Sequence, residues 1–130
     1  MIIGIGIDVA EVDRIENAIV DTRGRFIARV FTKAEAEDSL TMTNEYVHLA
    51  GYFAAKEAAI KALGLSGLHL GSWKEIEIRY NGDPRSPMLL LHGQIGKKFR
   101  QDGGGSVLLS ISYRTELAIA LVILHSREES

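Results

Sequence analysis

Two acidic residues stand where carboxylates are expensive. Glu57 lies in the run from His48 to Gly64 (HLAGYFAAKEAAIKALG). There the larger apolar residues Leu49, Phe53, Ile60 and Leu63 recur at helical spacing and, with Tyr46 and Ala50, mark one face. Glu57 falls on that face, one turn after Phe53. A carboxylate buried there without a partner is strongly disfavoured, so a cation must compensate it. Lys61 is within reach as a helical i,i+4 partner. A metal ion is the alternative, and it needs a second acid from elsewhere in the chain.

Asp8 is the candidate for that second acid. The chain begins Met1-Ile2-Ile3-Gly4-Ile5-Gly6-Ile7-Asp8-Val9, an apolar run that reads as a buried strand. Asp8 comes as the strand ends, before a helical pattern of Val12, Ile15, Ala18 and Ile19. A strand end can aim one side chain rigidly. The competing reading is that Asp8 caps the following helix. Gly4-Ile5-Gly6 hints at a dinucleotide fingerprint, but position 9 is valine and the glycines sit inside the strand rather than in the turn after it. Glycines so placed mark close backbone approach instead.

The elements that must position these residues are legible in outline. The pattern predicts a strand over 2–8, a helix over 11–20, a loop from Asp21 to Gly24 and a short helix from Arg25 to Val30. Thr32-Lys33-Ala34-Glu35 has the form of a capping box opening a helix that runs to about Leu40. A long central helix over 44–63 is stopped by Gly64, and a glycine-rich loop follows to Gly71. Trp73 to Tyr80 alternates, Asn81-Gly82-Asp83-Pro84 supplies turn chemistry, and Met88 to Leu91 begins another strand. Gly93 to Gln101 reads as a short amphipathic helix and Gly103-Gly104-Gly105 as a flexible break. Val107 to Ser112 and Leu117 to Leu124 then pair as an antiparallel hairpin. The fold class is α+β, an antiparallel sheet packed on a long central helix.

Composition bounds the function. A chain of 130 residues makes one domain, 1–130, and a formal net charge of -2 sets up no global field for nucleic acid or membrane. Cysteine is absent, which excludes disulfides, thiolate metal sites and a cysteine nucleophile. The amino terminus reads as neither signal peptide nor spanning helix, so a cytoplasmic location is the expectation. One local charge signal stands out. Arg23, Arg25, Arg29 and Lys33 fall in twelve residues without an acid, with Phe26 beside them and Arg14 on the preceding helix. Such a cluster suits an acidic protein surface, or is a solvated face.

Four stretches together resemble the holo-acyl-carrier-protein synthases, the small single-domain 4'-phosphopantetheinyl transferases. They are Ile3-Gly4-Ile5-Gly6-Ile7-Asp8, Phe53-Ala54-Ala55-Lys56-Glu57-Ala58, Lys61-Ala62-Leu63-Gly64 and Ser110-Ile111-Ser112, in matching order and spacing. The resemblance implies transfer of the phosphopantetheine arm of coenzyme A to a serine of an acyl carrier protein, releasing 3',5'-ADP, in fatty acid biosynthesis. It implies that Asp8 and Glu57 bind Mg²⁺ and that Lys61 faces the phosphates as charge clamp or proton acceptor, with Lys56 a secondary contact. Gly64 would approach coenzyme A, Gly82 and Pro84 would border the adenine, and Ser110 and Ser112 would lie near the ribose and its phosphate. Arg14, Arg25, Phe26 and Arg29 would dock the carrier protein. The family also implies a homotrimer with active sites at subunit interfaces.

Three positions depart from the family pattern. Tyr52 stands where relatives commonly have Arg, and Leu108 and Tyr113 stand where they often have His. Those cationic groups give charge-assisted hydrogen bonds to phosphate, so altered coenzyme A contacts are expected. The rival readings are a non-catalytic homologue that binds an acyl carrier protein or coenzyme A, and a structural trimer subunit.

Overall fold

In the computed structural model, which describes residues 1–65, 72–82 and 86–128, a three-stranded antiparallel sheet packs against one long helix. Strand β1 (Ile2–Glu11) lies beside β5 (Leu117–Ser126), which pairs in turn with β4 (Gly104–Tyr113), giving the order β1-β5-β4. Strands β2 (Ile76–Asn81) and β3 (Ser86–Leu91) form a separate antiparallel pair. The helices are α1 (Val12–Asp21), α2 (Arg25–Val30), α3 (Lys33–Leu40), α4 (Glu45–Leu63) and α5 (Gly93–Gln101). A short 3-10 turn, Trp73–Glu75, leads into β2.

Helix α4 is held at both ends by its own sequence. Asn44 accepts from the amides of Tyr46 and Val47, and Gly64 closes the helix in the left-handed region at φ 69°. Thr32 and Glu35 form the expected capping box at the start of α3. Between its ends α4 is buried on most sides. Ala50, Ala54, Ala55, Ala58 and Ala59 are fully covered, as are Leu49, Tyr52 and Lys56, whereas Phe53, Ile60 and Leu63 are only partly so. From Phe53 onward the stripe of large apolar residues carrying Glu57 is therefore a half-covered flank, not the core face. Leu49, Tyr52, Ile76, Ile78 and Val122, with no exposed surface, anchor the interior; each such side chain contributes about 1.5–3 kcal/mol.

Small residues face α4 because the helix lies almost on top of β1. A methyl group at Gly6 would overlap the Ala58 carbonyl, and one at Gly4 the Ala62 carbonyl. The paired glycines thus let the helix backbone approach the strand, and that approach fixes Asp8 against Glu57.

Two boundaries and one side chain differ from expectation. Strand β1 continues to Glu11, because β5 pairs with it as far as Glu11↔Leu117. Gly104 and Gly105 belong to β4, so the triple-glycine break reduces to Gly103 at φ 92°; Gly104 is needed because the Phe99 ring occupies the space of its missing side chain. Lys56 is fully buried, not a surface contact for a ligand. Its ammonium pairs with Glu35 at 2.9 Å and donates to the carbonyls of Trp73 and Ile76. Among the described residues, no helix is long and apolar enough to cross a membrane.

Candidate active site

Asp8 projects from the helix-facing side of β1, and Glu57 meets it from α4. Their carboxyl groups lie within hydrogen-bonding reach of each other. Asp8 is not the cap of α1: that helix starts at Val12, its N-cap position is Glu11, and Asp8 sits three residues earlier within paired strand. Lys61 leaves α4 to reach the same place. Its ammonium stands 2.8 Å from Asp8 Oδ1 and donates to the Ile7 carbonyl at 3.1 Å. Lys61 is thus the partner of Asp8, whereas the spacing predicts Glu57.

The charges of the pair are pushed apart. Burial raises the Asp8 carboxyl, but the hydrogen bond with Glu57, the Lys61 ammonium and the Val9 amide outweigh it and leave Asp8 below the usual carboxylate range. Glu57 is pushed up to about 7, first by burial and then by the neighbouring Asp8; Lys61 and Arg14 pull it down without offsetting this. Lys61 is raised, chiefly by its hydrogen bond to Asp8. Oδ2 of Asp8 is buried and receives no donor.

This donor set fits a small hard cation. Two carboxylates on a strand and a helix, one of them with an orphaned oxygen, offer oxygen ligands of the kind Mg²⁺ takes, and no third His or acid completes a cage among the described residues. Mg²⁺ retains waters and phosphate oxygens at such sites.

The other candidates fall in three places. Gly64 ends α4 one turn past Lys61, beside a cavity of about 700 Å³ lined by Ile3, Leu63, Leu65, Ile95 and Phe99, with Lys98 at its edge. Ser110 and Ser112 are exposed and point away from the acid pair. In the sheet register Ser110 aligns with Leu121 and Ile7, and Ser112 with Ile119 and Val9, all on the face opposite Asp8. Gly82 is exposed after β2 at φ 84°, and Pro84 lies outside the described residues. One chain therefore brings together Asp8, Glu57 and Lys61, but not these serines.

Arg14, Arg25 and Arg29 are all exposed, and Arg25 is oriented by a 3.2 Å bond from its Nε to the Thr22 carbonyl. Phe26 turns inward, with its ring centroid 6.0 Å from that of Phe31 and 5.7 Å from that of Phe53. Phe53 is one helical turn from Glu57, so the Phe26 ring links α2 to the part of α4 that carries Glu57. Arg14 also acts electrostatically on Glu57, a link between patch and pair that sequence spacing does not reveal. Tyr80 was missed as well. Its hydroxyl bonds that of Tyr113, and the available signal was Gly51, a glycine inside a helix where a methyl would overlap the Tyr113 ring.

Comparison with known proteins gives the family of the chain. The family model for the 4'-phosphopantetheinyl transferase superfamily matches residues 4–122. The chain is 37% identical over 126 residues to the holo-[acyl-carrier-protein] synthase of Solibacter usitatus, covering 97% of this chain and 100% of the relative. The crystal structure of the synthase from Neisseria meningitidis superposes with a TM-score of 0.87 at 28% identity, covering 97% of this chain and 100% of that one. The synthase from Bacillus anthracis, solved in complex with CoA (3',5'-ADP), gives 0.76 at 36% identity, with 98% and 99% covered. The chain belongs to the 4'-phosphopantetheinyl transferase superfamily, in its holo-acyl-carrier-protein synthase family. Its activity is that of a 4'-phosphopantetheinyl transferase.

Proposed function

We propose that this single-domain enzyme transfers 4'-phosphopantetheine from coenzyme A to a serine of an apo-acyl carrier protein, in the service of fatty acid synthesis. The observation that carries the reading is the meeting of Asp8, Glu57 and Lys61 around an undonated carboxylate oxygen, in a fold shared with a synthase solved in complex with CoA (3',5'-ADP). The carrier serine oxygen bonds to the phosphorus bearing the pantetheine arm, the bond from that phosphorus to the oxygen of 3',5'-ADP breaks, and the serine proton passes to solvent water.

Asp8 and Glu57 would hold Mg²⁺, which when bound offsets charge on the diphosphate and the leaving group. Lys61, raised by Asp8 in the metal-free protein, is placed to clamp the phosphates. The cavity beside Gly64 offers room for the pantetheine arm, and Arg14, Arg25 and Arg29 steer the acidic carrier to the adjoining face.

The nucleotide end needs a second copy of the chain. Ser110 and Ser112 face away from their own Asp8, on a sheet face where Ile5, Ile7, Val9 and Leu108 are more than half exposed. Covering this apolar face in a closed homotrimer would bring one subunit's serines to the acid pair of the next.

Incubation with coenzyme A, Mg²⁺ and an apo-carrier protein tests the reading. The carrier should gain about 340 Da, the size of the phosphopantetheine arm. Tight coenzyme A binding with no mass gain would leave a binder in place of the transferase and overturn the assignment.

A further inference from the structure

Two of the three departures from the family pattern converge on a third tyrosine. Tyr113, the last residue of β4, hydrogen-bonds through its hydroxyl to that of Tyr80 on β2. The ring of Tyr52, fully buried, has its centroid 6.2 Å from that of Tyr80. Tyr113 is seated on α4: its ring centroid is 4.7 Å from that of His48, and its edge fills the space over Gly51. Glycine inside a helix is unfavourable, and here it makes room for that ring.

The position of this bond in the fold gives it a consequence. Among the described residues the pair β2–β3 and the sheet β1-β5-β4 share no ladder, so the Tyr80–Tyr113 bond ties two separately hydrogen-bonded sheets. Tyr80 stands two residues before Gly82, and Tyr113 directly follows Ser112. The bond therefore spans the two edges that carry the nucleotide-facing candidates.

We infer that the Tyr80–Tyr113 hydroxyl pair positions the nucleotide end of the substrate by fixing the turn at Gly82 relative to the β4 edge at Ser110 and Ser112. The inference rests on the coenzyme A reading above. Both tyrosines are positioning residues; neither needs to touch a reacting atom. Removing the bond loosens the spacing between the edges, which weakens the hold on adenosine 3',5'-bisphosphate while leaving the acid pair and the carrier patch as they were.

Tyr80→Phe and Tyr113→Phe keep both rings and delete the bond. Each should raise the KM for coenzyme A about 3- to 10-fold, the range for one hydrogen bond, with kcat and the carrier KM little changed. Binding of adenosine 3',5'-bisphosphate, measured by calorimetry, should weaken by the same factor. The double variant should fall short of the sum of the two single ones, because both remove the shared bond. Unchanged bisphosphate affinity in both single variants would overturn the inference. So would an equal rise in the KM of both substrates, or additive effects in the double variant. Absence of transfer by the unaltered enzyme is a separate outcome that overturns the coenzyme A reading itself; the calorimetric arm still tests the tyrosine pair.

Discussion

Lys61 reaches across to Asp8, at 2.8 Å from Oδ1, and so leaves Glu57 without a direct ion pair although Glu57 is one turn away on the same helix. The division is electrostatic. Asp8 keeps a low proton affinity, whereas Glu57 is held up to about 7. A divalent cation held by the two acids would offset the charge that raises Glu57.

Substitution of either acid should therefore separate function from stability. Asp8→Asn and Glu57→Gln each remove an anionic oxygen while keeping shape, and each should lower Mg²⁺-dependent transfer by at least about 100-fold. Glu57→Gln should not lower the melting temperature of the metal-free protein at pH 8, since it removes a desolvated, repelled carboxylate. Full transfer activity in either variant would end the metal-pair reading.

The same shift makes the metal-free enzyme pH-sensitive. Glu57 has its proton affinity raised on folding, from 4.5 to about 7. The folded state thus retains a proton that the unfolded state releases, and stability falls as pH rises between these values and flattens above. Asp8 has the opposite shift, from 3.8 downwards, so its contribution is lost only below that pH and does not cancel the effect. Melting curves without metal should decline from pH 5 to pH 7.5, less steeply in Glu57→Gln. Added Mg²⁺ should stabilise most above pH 7, where both acids are ionised. A metal-free melting temperature that rises over this interval because of Glu57 would contradict the arrangement.

Much of this arrangement was legible from local chemistry. The Thr32–Glu35 capping box and the Gly64 stop depend on neighbours in sequence, and both stand as read. What escaped depends on distant partners. The half-covered stripe of Phe53, Glu57 and Ile60 looks like a core face because large residues dominate the pattern, yet the glycines of β1 select alanines for the close contact. Lys56 resembles a surface lysine until Glu35, from another helix, is folded against it. The outward aim of Ser110 and Ser112 follows from strand register, which is set only when β5 pairs on both sides.

The buried Lys56–Glu35 pair should matter to folding more than to catalysis. Burial lowers the Lys56 proton affinity, and Glu35 acts against this; Glu35 also accepts from the amides of Thr32 and Ile78, both at 2.8 Å. The pair ties α3 and α4 to β2. Lys56→Met strands a buried carboxylate and should destabilise by about 3–5 kcal/mol in denaturant titrations. Adding Glu35→Gln should recover part of that loss. Equal stability of Lys56→Met and the unaltered protein would mean that the pair is not formed.

The basic patch should act on encounter. Arg25→Glu or Arg29→Glu should raise the carrier KM about 10-fold at low salt, with a smaller effect at high salt. The KM for coenzyme A should stay put, since both arginines are exposed on α2, away from the cavity at Gly64. If the carrier KM is unmoved in both variants, docking occurs elsewhere.

The split between acid pair and serines sets the most demanding test. In a closed trimer each site would take its acids from one subunit and its serines from the next. A subunit carrying Glu57→Gln should then be inactive through its acid pair, and one carrying bulky Ser110→Trp and Ser112→Trp through its nucleotide edge. Refolding the two as an equal mixture pairs an intact acid half with an intact serine half at about one site in four. Two inactive proteins should thus recover roughly a quarter of normal transfer. Ile7→Lys, placing charge on the apolar face where Ile7 is 58% exposed, should yield monomers by light scattering and abolish both activity and complementation. If the mixture stays inactive while light scattering shows it to be trimeric, each site is built within one chain and the outward serines take no part.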